Sequence, residues 1–215
     1  IDSVLLGQGM AAYGPLQRNI YNSEDVERYE YNPERSKEIL ESAGCTMGDN
    51  GFYERNGKEI GFVISVMAGE QDRIDIAQAA AQQLREAGIN CTVDLPAQMD
   101  WGGQMACLIG WGSPFDADDH TYKVFGTDKG ANYSGYSNEK VDEYLTLARQ
   151  SSDPAVRQEY YSKFQTELAA DPPYAFICYI DANYVAKSTV QGIDPDTVLG
   201  HHGVGIFWNV HQWTI

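Results

Sequence analysis

The stretch from Ile60 to Leu95 constrains the fold more than any other part of the chain. Ile60 to Val66 and Ile89 to Leu95 are apolar, β-branched runs of the length of a strand. Between them, Arg73 to Ala87 places Ile76, Ala77, Ala80, Ala81 and Leu84 on one helical stripe, with Gly88 positioned to end the helix. A strand, a helix and a strand with short links predict a right-handed crossover between parallel strands. Met105 to Trp111 is a further apolar run, predicted as a strand buried on both faces if central.

The rest of the chain supplies helices and one hairpin. The first stretch, to about Tyr31, has little period and reads as extended. Asn32-Pro33 predicts an N-cap and first helical residue, followed by a short helix with Ile39, Leu40 and Ala43 inward and Gly44 just past its end. Phe52 to Ile60 reads as a hairpin closed by Asn56-Gly57, the pair favoured in a type I′ turn. A short helix ends near Phe125, capped by Asp118 or Asp119. Asn138 to Arg149 predicts a helix with Val141, Tyr144, Leu145 and Ala148 on one face. Asp153-Pro154 opens another, lined by Val156, Tyr160, Phe164 and Leu168. Tyr174 to Ile180 reads as a strand, Tyr184 to Ala186 as its continuation or partner, and Ile206 to Val210 as a terminal strand. The fold class expected is α/β.

Charge and cysteine content narrow the function. The 215 residues hold 15 basic and 31 acidic side chains, a formal net charge of −16. Nucleic-acid affinity rests on clustered Lys and Arg, so such a surface disfavours it, and an anionic membrane likewise. The charge fits a solvated acidic surface or the attraction of cationic ligands. No apolar run reaches the roughly 20 residues of a membrane helix. Starting at Ile1-Asp2-Ser3, the chain is expected to be a piece of something longer. Cys45, Cys91, Cys107 and Cys178 show no C-x-x-C spacing; they read as buried free thiols, with a disulfide as the alternative.

Motifs of catalysis are missing: there is no G-x-S-x-G, H-E-x-x-H or phosphate loop. Asp116, Asp118, Asp119 and His120 form a dense group that fits either a divalent ion or a helix cap. His201 and His202 are adjacent in an extended segment, so they point to opposite faces and cannot readily share an ion. Trp111 follows an apolar strand and precedes Gly112 and Pro114, which turn the chain outward; ligands bind beyond the carboxyl ends of such strands.

The order of segments resembles the family 5 extracellular solute-binding proteins, which serve peptide and nickel ABC importers. Tyr13-Gly14-Pro15, Tyr31-Asn32-Pro33 with the helix ending Ala43-Gly44, Gly110-Trp111, Asn132 to Asn138, and Asp153-Pro154 with Arg157 and Tyr160-Tyr161 carry the likeness. The resemblance implies an α/β fold with a mixed sheet flanked by helices, one lobe of a two-lobed periplasmic-binding-protein-like (type II) fold. It implies residues 1–215 as a single carboxy-terminal lobe, a fragment of a longer lipid-anchored protein outside the cell membrane or in the periplasm. Its partners would be a small-molecule or peptide ligand, the permease of an ABC transporter and the missing amino-terminal lobe. The protein would be a monomer, with no nucleic acid, no cofactor and no catalytic or metal-ligating residue. A metal-dependent hydrolase or a ligand-sensing signalling module on the same lobe is the alternative.

The resemblance also implies the site. Peptide-binding members place an Asp three residues after the Trp to pair with the peptide's ammonium group; here that residue is Pro114. Trp111-Gly112-Ser113-Pro114-Phe115-Asp116 is closer to the nickel branch, in which the Trp and the aromatic line the pocket. That branch's His ligand is replaced by Gly130, and family members usually have a helix where only Pro96 to Gln104 stands. The candidate ligand-binding residues are Trp111, Gly112, Ser113, Phe115, Asp116 and, at the cleft rim, His202.

Overall fold

The computed structural model describes residues 1–112, 116–194 and 205–215. In chain order its elements are β1 (Gly9–Ala11), α1 (Pro33–Ser42), β2 (Thr46–Met47), β3 (Tyr53–Arg55), β4 (Lys58–Glu59), β5 (Gly61–Ser65) and α2 (Gln71–Glu86). Then follow β6 (Asn90–Asp94), β7 (Ala106–Cys107), α3 (Ala117–Phe125), α4 (Glu139–Gln150), α5 (Pro154–Ala170), β8 (Cys178–Ile180) and a 3-10 segment over Gly205–Gln212. They divide into two compact units. One comprises Ile1–Gly7 and Tyr29–Gly110, the other Gln8–Arg28 and Trp111–Ile215.

The first unit is built on the crossover. β5 and β6 run parallel with Gly61 opposite Asn90, and β7 joins the other side of β5, also parallel. Ile74, Ile76, Ala77 and Ala81 of α2 are buried, and Val66, Ile74 and Ala77 form the core with Ile64, Val93 and Leu108 around them. Gly88 ends α2 at φ +87, where the amides of Gly88 and Ile89 turn back to the carbonyls of Arg85 and Leu84. A Cβ at Gly88 would stand 2.8 Å from the buried Tyr53 ring, so both the backbone and the packing require glycine.

The predicted hairpin is present as β3 and β4, with Asn56 and Gly57 both at positive φ, and β2 adds a third antiparallel strand. Two expectations fail in this unit. The predicted Met105–Trp111 strand is only the two-residue β7, at an edge of its sheet and half-buried, because the ladder stops while Leu108 packs into the core. The helix α1 has the expected Asn32 cap and Pro33 start but buries nothing, and Ile39 is 55% exposed.

The second unit packs three helices. Val124 and Phe125 of α3, Val141, Leu145 and Ala148 of α4, and Tyr161, Phe164 and Leu168 of α5 form one core with Leu16. On α5 the inward stripe runs through Tyr161, Phe164, Gln165 and Leu168, whereas Val156 and Tyr160 are half-buried. Gln165 earns its buried place with three bonds: it donates to the carbonyls of Tyr21 and Tyr161 and accepts from the Ser23 amide. β1 lies in the stretch read as merely extended and pairs antiparallel with β8. Tyr184–Ala186 forms no strand, and Ile206–Val210 belongs to the 3-10 segment. There the buried Asn209 accepts from Trp213 Nε1 and donates to the Gly192 carbonyl, holding a coil that the apolar run alone does not foretell.

The α/β class is borne out, with parallel and antiparallel strands of the described residues distributed over three small sheets and flanked by helices. All four cysteines are unpaired: Cys45 and Cys91 are buried, Cys107 and Cys178 half-buried. Among the described residues no helix is long and apolar enough to cross a membrane.

Candidate functional site

The candidate site lies in the second unit, beside the start of α3. Asp116 has the extended backbone of an N-cap, and its carboxylate accepts from the Asp118 amide at 2.8 Å. The cap expected of Asp118 or Asp119 is therefore supplied two or three residues earlier, by Asp116. The same Asp116 oxygen lies 2.6 Å from Arg157 Nη2. Burial alone would raise the Asp116 pKa, but the Asp118 amide and the Arg157 guanidinium outweigh it and hold the carboxyl below its ordinary value.

Arg157 is itself enclosed. Its side chain is 14% exposed and its guanidinium lies 5.1 Å from the Tyr21 ring and 5.5 Å from the Tyr161 ring. Burial pushes the Tyr161 phenol up to about 12, against the opposing pull of Arg157. The neighbouring acids are matched in the same way. Asp118 receives the fork of Arg149 through Nε and Nη2, at 2.8 Å for the latter, and that guanidinium covers the Tyr122 ring at 3.7 Å. Asp119 faces Lys123 Nζ at 3.2 Å. These six charged side chains line one shallow polar depression.

Such pairing leaves the carboxylates neutralised by cations rather than turned together toward an ion. Among the described residues no group of three His, Cys, Asp or Glu side chains is placed to hold a metal. His120 leaves the acidic group and sets its ring 5.8 Å from the Trp111 indole. Tyr133 stacks on Trp111 as well, with centroids 6.1 Å apart and planes 13° from parallel. Trp111 keeps 36% of its surface exposed. It is thus not fully enclosed by the described residues.

The loop that carries Tyr133 is organised by Asn132. Its side-chain amide donates to the carbonyls of Gly126 and Tyr136, and its oxygen accepts from the Tyr136 amide. Gly112 sits next to Trp111 without regular structure. Of the six sequence candidates, Trp111, Gly112 and Asp116 are described, and Ser113, Phe115 and His202 lie outside the described residues. The sequence does not mark Tyr133 and His120 as companions of Trp111, although the Asn132 to Asn138 signature contains the first. Arg157 could be found only by its family motif, because Asp116 lies 41 positions away.

Residues 1–133 match the sequence model described as bacterial extracellular solute-binding proteins, family 5 Middle. The chain belongs to family 5. It is 32% identical over 206 residues to Protein XP55 of Streptomyces lividans, covering 90% of this chain and 37% of that protein. It is 28% identical over 232 residues to the oligopeptide-binding protein AppA of Bacillus subtilis, covering 99% of this chain and 40% of AppA. The crystal structure of NikZ from Campylobacter jejuni in complex with Ni(L-His) superposes with a TM-score of 0.87 at 34% identity, over all of this chain and 45% of NikZ. The chain therefore spans about two fifths of the length of these curated family 5 relatives. Family 5 proteins bind solutes outside the cytoplasm, which accords with the expected class.

Proposed function

We propose that residues 1–215 form one lobe of the substrate-binding component of an ABC importer. The intact protein captures a small solute between this lobe and an amino-terminal lobe, then presents it to the permease as a monomer. It is held by a lipid anchor on the outer side of the membrane. Ligand contacts from both lobes favour the closed form, so the differential affinity of the ligand for open and closed states drives the cycle. The observation that carries this reading is the Trp111 indole, exposed and stacked on Tyr133.

A metal–chelate complex is the preferred ligand class, with peptides blocked at the amino terminus second. Pro114 offers neither charge nor donor at the position where the family resemblance implies a carboxylate for peptide binding. An open aromatic face suits the flat ligand shell of a chelate. NikZ, solved with Ni(L-His), supports the same preference. Mass spectrometry of ligand co-purified with the intact protein tests it. A metal complex or blocked peptide is the expected result, and a plain dipeptide with a free amino terminus would overturn the ligand class.

A further inference from the structure

The ribbon of β1 and β8 has two edges, and they are finished differently. In the pairing of Gly9 with Ile180, Met10 with Tyr179 and Ala11 with Cys178, hydrogen-bonded pairs alternate with non-bonded ones. The Ala12 amide donates to Ile177 and the Asp181 amide to Gln8, so Met10 and Tyr179 complete the inward set. The backbone groups of Gly9 and Ala11 point out of one edge, those of Cys178 and Ile180 out of the other.

On the β1 edge a single side chain imitates a neighbouring strand. Gln17 Nε2 donates to the Ala11 carbonyl at 2.9 Å, and Gln17 Oε1 accepts from the Tyr13 amide at 2.8 Å. No such cover lies along β8: among the described residues the amides and carbonyls of Cys178 and Ile180 have no partner. Nor is this edge blunted by Lys or Pro. Ile180 is 46% exposed and shares its face with Cys178, while Tyr179 turns to the other face and donates to the Gly14 carbonyl. A ribbon of two strands is marginal by itself.

We propose that β8 is an interior strand in the intact protein, paired along Cys178 and Ile180 with a strand from outside these 215 residues. The occupant committed to is a segment of the same longer protein, since the chain covers all of its own length but only 45% of NikZ. This rests on the reading of the chain as a lobe of a longer solute-binding protein. The added strand would supply acceptors and donors to the outward groups and cover the Ile180 face. One edge closed by a side-chain amide and the other left open defines the direction in which the sheet grows.

Hydrogen exchange on the intact protein, read by mass spectrometry or NMR, tests the pairing. The Cys178 and Ile180 amides are expected to exchange on the order of 100-fold or more slowly than an exposed, unpaired amide. Exchange as fast as in an unstructured peptide would overturn the proposal while leaving solute binding untouched. Protection that appears only with a doubled mass would overturn it in favour of a second copy. In Ile180→Pro the outward donor is lost but the inward β1–β8 bonds need not be, so Cys178 should lose protection while Met10 and Tyr179 keep theirs. If Ile180→Pro does not fold, the wild-type exchange rates decide. Loss of solute binding in a protein with protected Cys178 and Ile180 would count against the functional reading alone.

Discussion

Asp116 joins two kinds of stabilisation that can be separated by paired substitutions. Asp116→Asn keeps a side-chain oxygen able to cap α3 but removes the charge facing Arg157, whereas Asp116→Ala removes both. The carboxylate is 56% exposed and Arg157 only 14%, so the ion pair belongs near the top of the range for surface pairs, about 0.5–1 kcal/mol. The cap contributes about 1 kcal/mol more. Urea denaturation at neutral pH should therefore find Asp116→Asn less stable by about 0.5–1 kcal/mol and Asp116→Ala by about 1.5–2 kcal/mol. Because the folded carboxyl titrates below its ordinary value, its stabilisation is present above the unfolded pKa of about 3.9 and is lost as pH falls through the folded one. The Asn penalty should accordingly shrink toward zero in strong acid, while the Ala penalty retains its capping part. Equal costs for Asn and Ala, or an Asn cost that persists after Asp116 is protonated, would refute this account.

Trp111→Ala should weaken ligand binding by the intact protein at least tenfold by calorimetry. Its cost in unfolding free energy should stay below the roughly 3–5 kcal/mol of an enclosed aromatic, since a third of the side chain faces solvent. Gly88→Ala should cost about 1–2 kcal/mol from its left-handed backbone alone, with the Tyr53 ring adding to it; a neutral result by chemical denaturation would contradict the close approach. The Tyr161 phenol favours the protonated folded state, so its contribution is intact below the unfolded value of about 10 and disappears as pH rises through about 12. A tyrosinate titration of wild type minus Tyr161→Phe should show that late step, and ionisation near 10 would disprove the burial argument.

What could be read from the residues was what local periodicity controls. The β5–α2–β6 crossover, the Asn56-Gly57 hairpin and the caps at Asn32 and Asp153 all depend on neighbours within a turn or two. The misjudged pieces depend on distant partners. Tyr160 and Tyr161 fit the α5 period almost equally, and the inward choice of Tyr161 goes with Tyr21 and Arg157 beside it. The apolar tail around Phe207 coils because Asn209 binds Gly192 and Trp213, a contact no alternation announces. The exposure of Trp111 was legible from the glycine that follows it, but its stacking partner Tyr133 comes from a loop shaped by Asn132. Asp116, Asp118, Asp119 and His120 looked like a possible ion site because sequence shows acids in a row but not the Arg149 and Arg157 that meet them.

The β1–β8 ribbon also sets a schedule for biosynthesis. Tyr179 binds Gly14 across 165 positions, and the second compact unit takes Gln8–Arg28 from one end of the chain and Trp111–Ile215 from the other. At roughly 5–20 residues per second, β1 leaves the ribosome on the order of ten to thirty seconds before β8 exists. Throughout that interval the crossover strands and helix can assemble from contiguous sequence, while residues 8–28 wait for their partners in α5 and β8. Slower elongation between α2 and α5 should lengthen that wait without altering the finished fold.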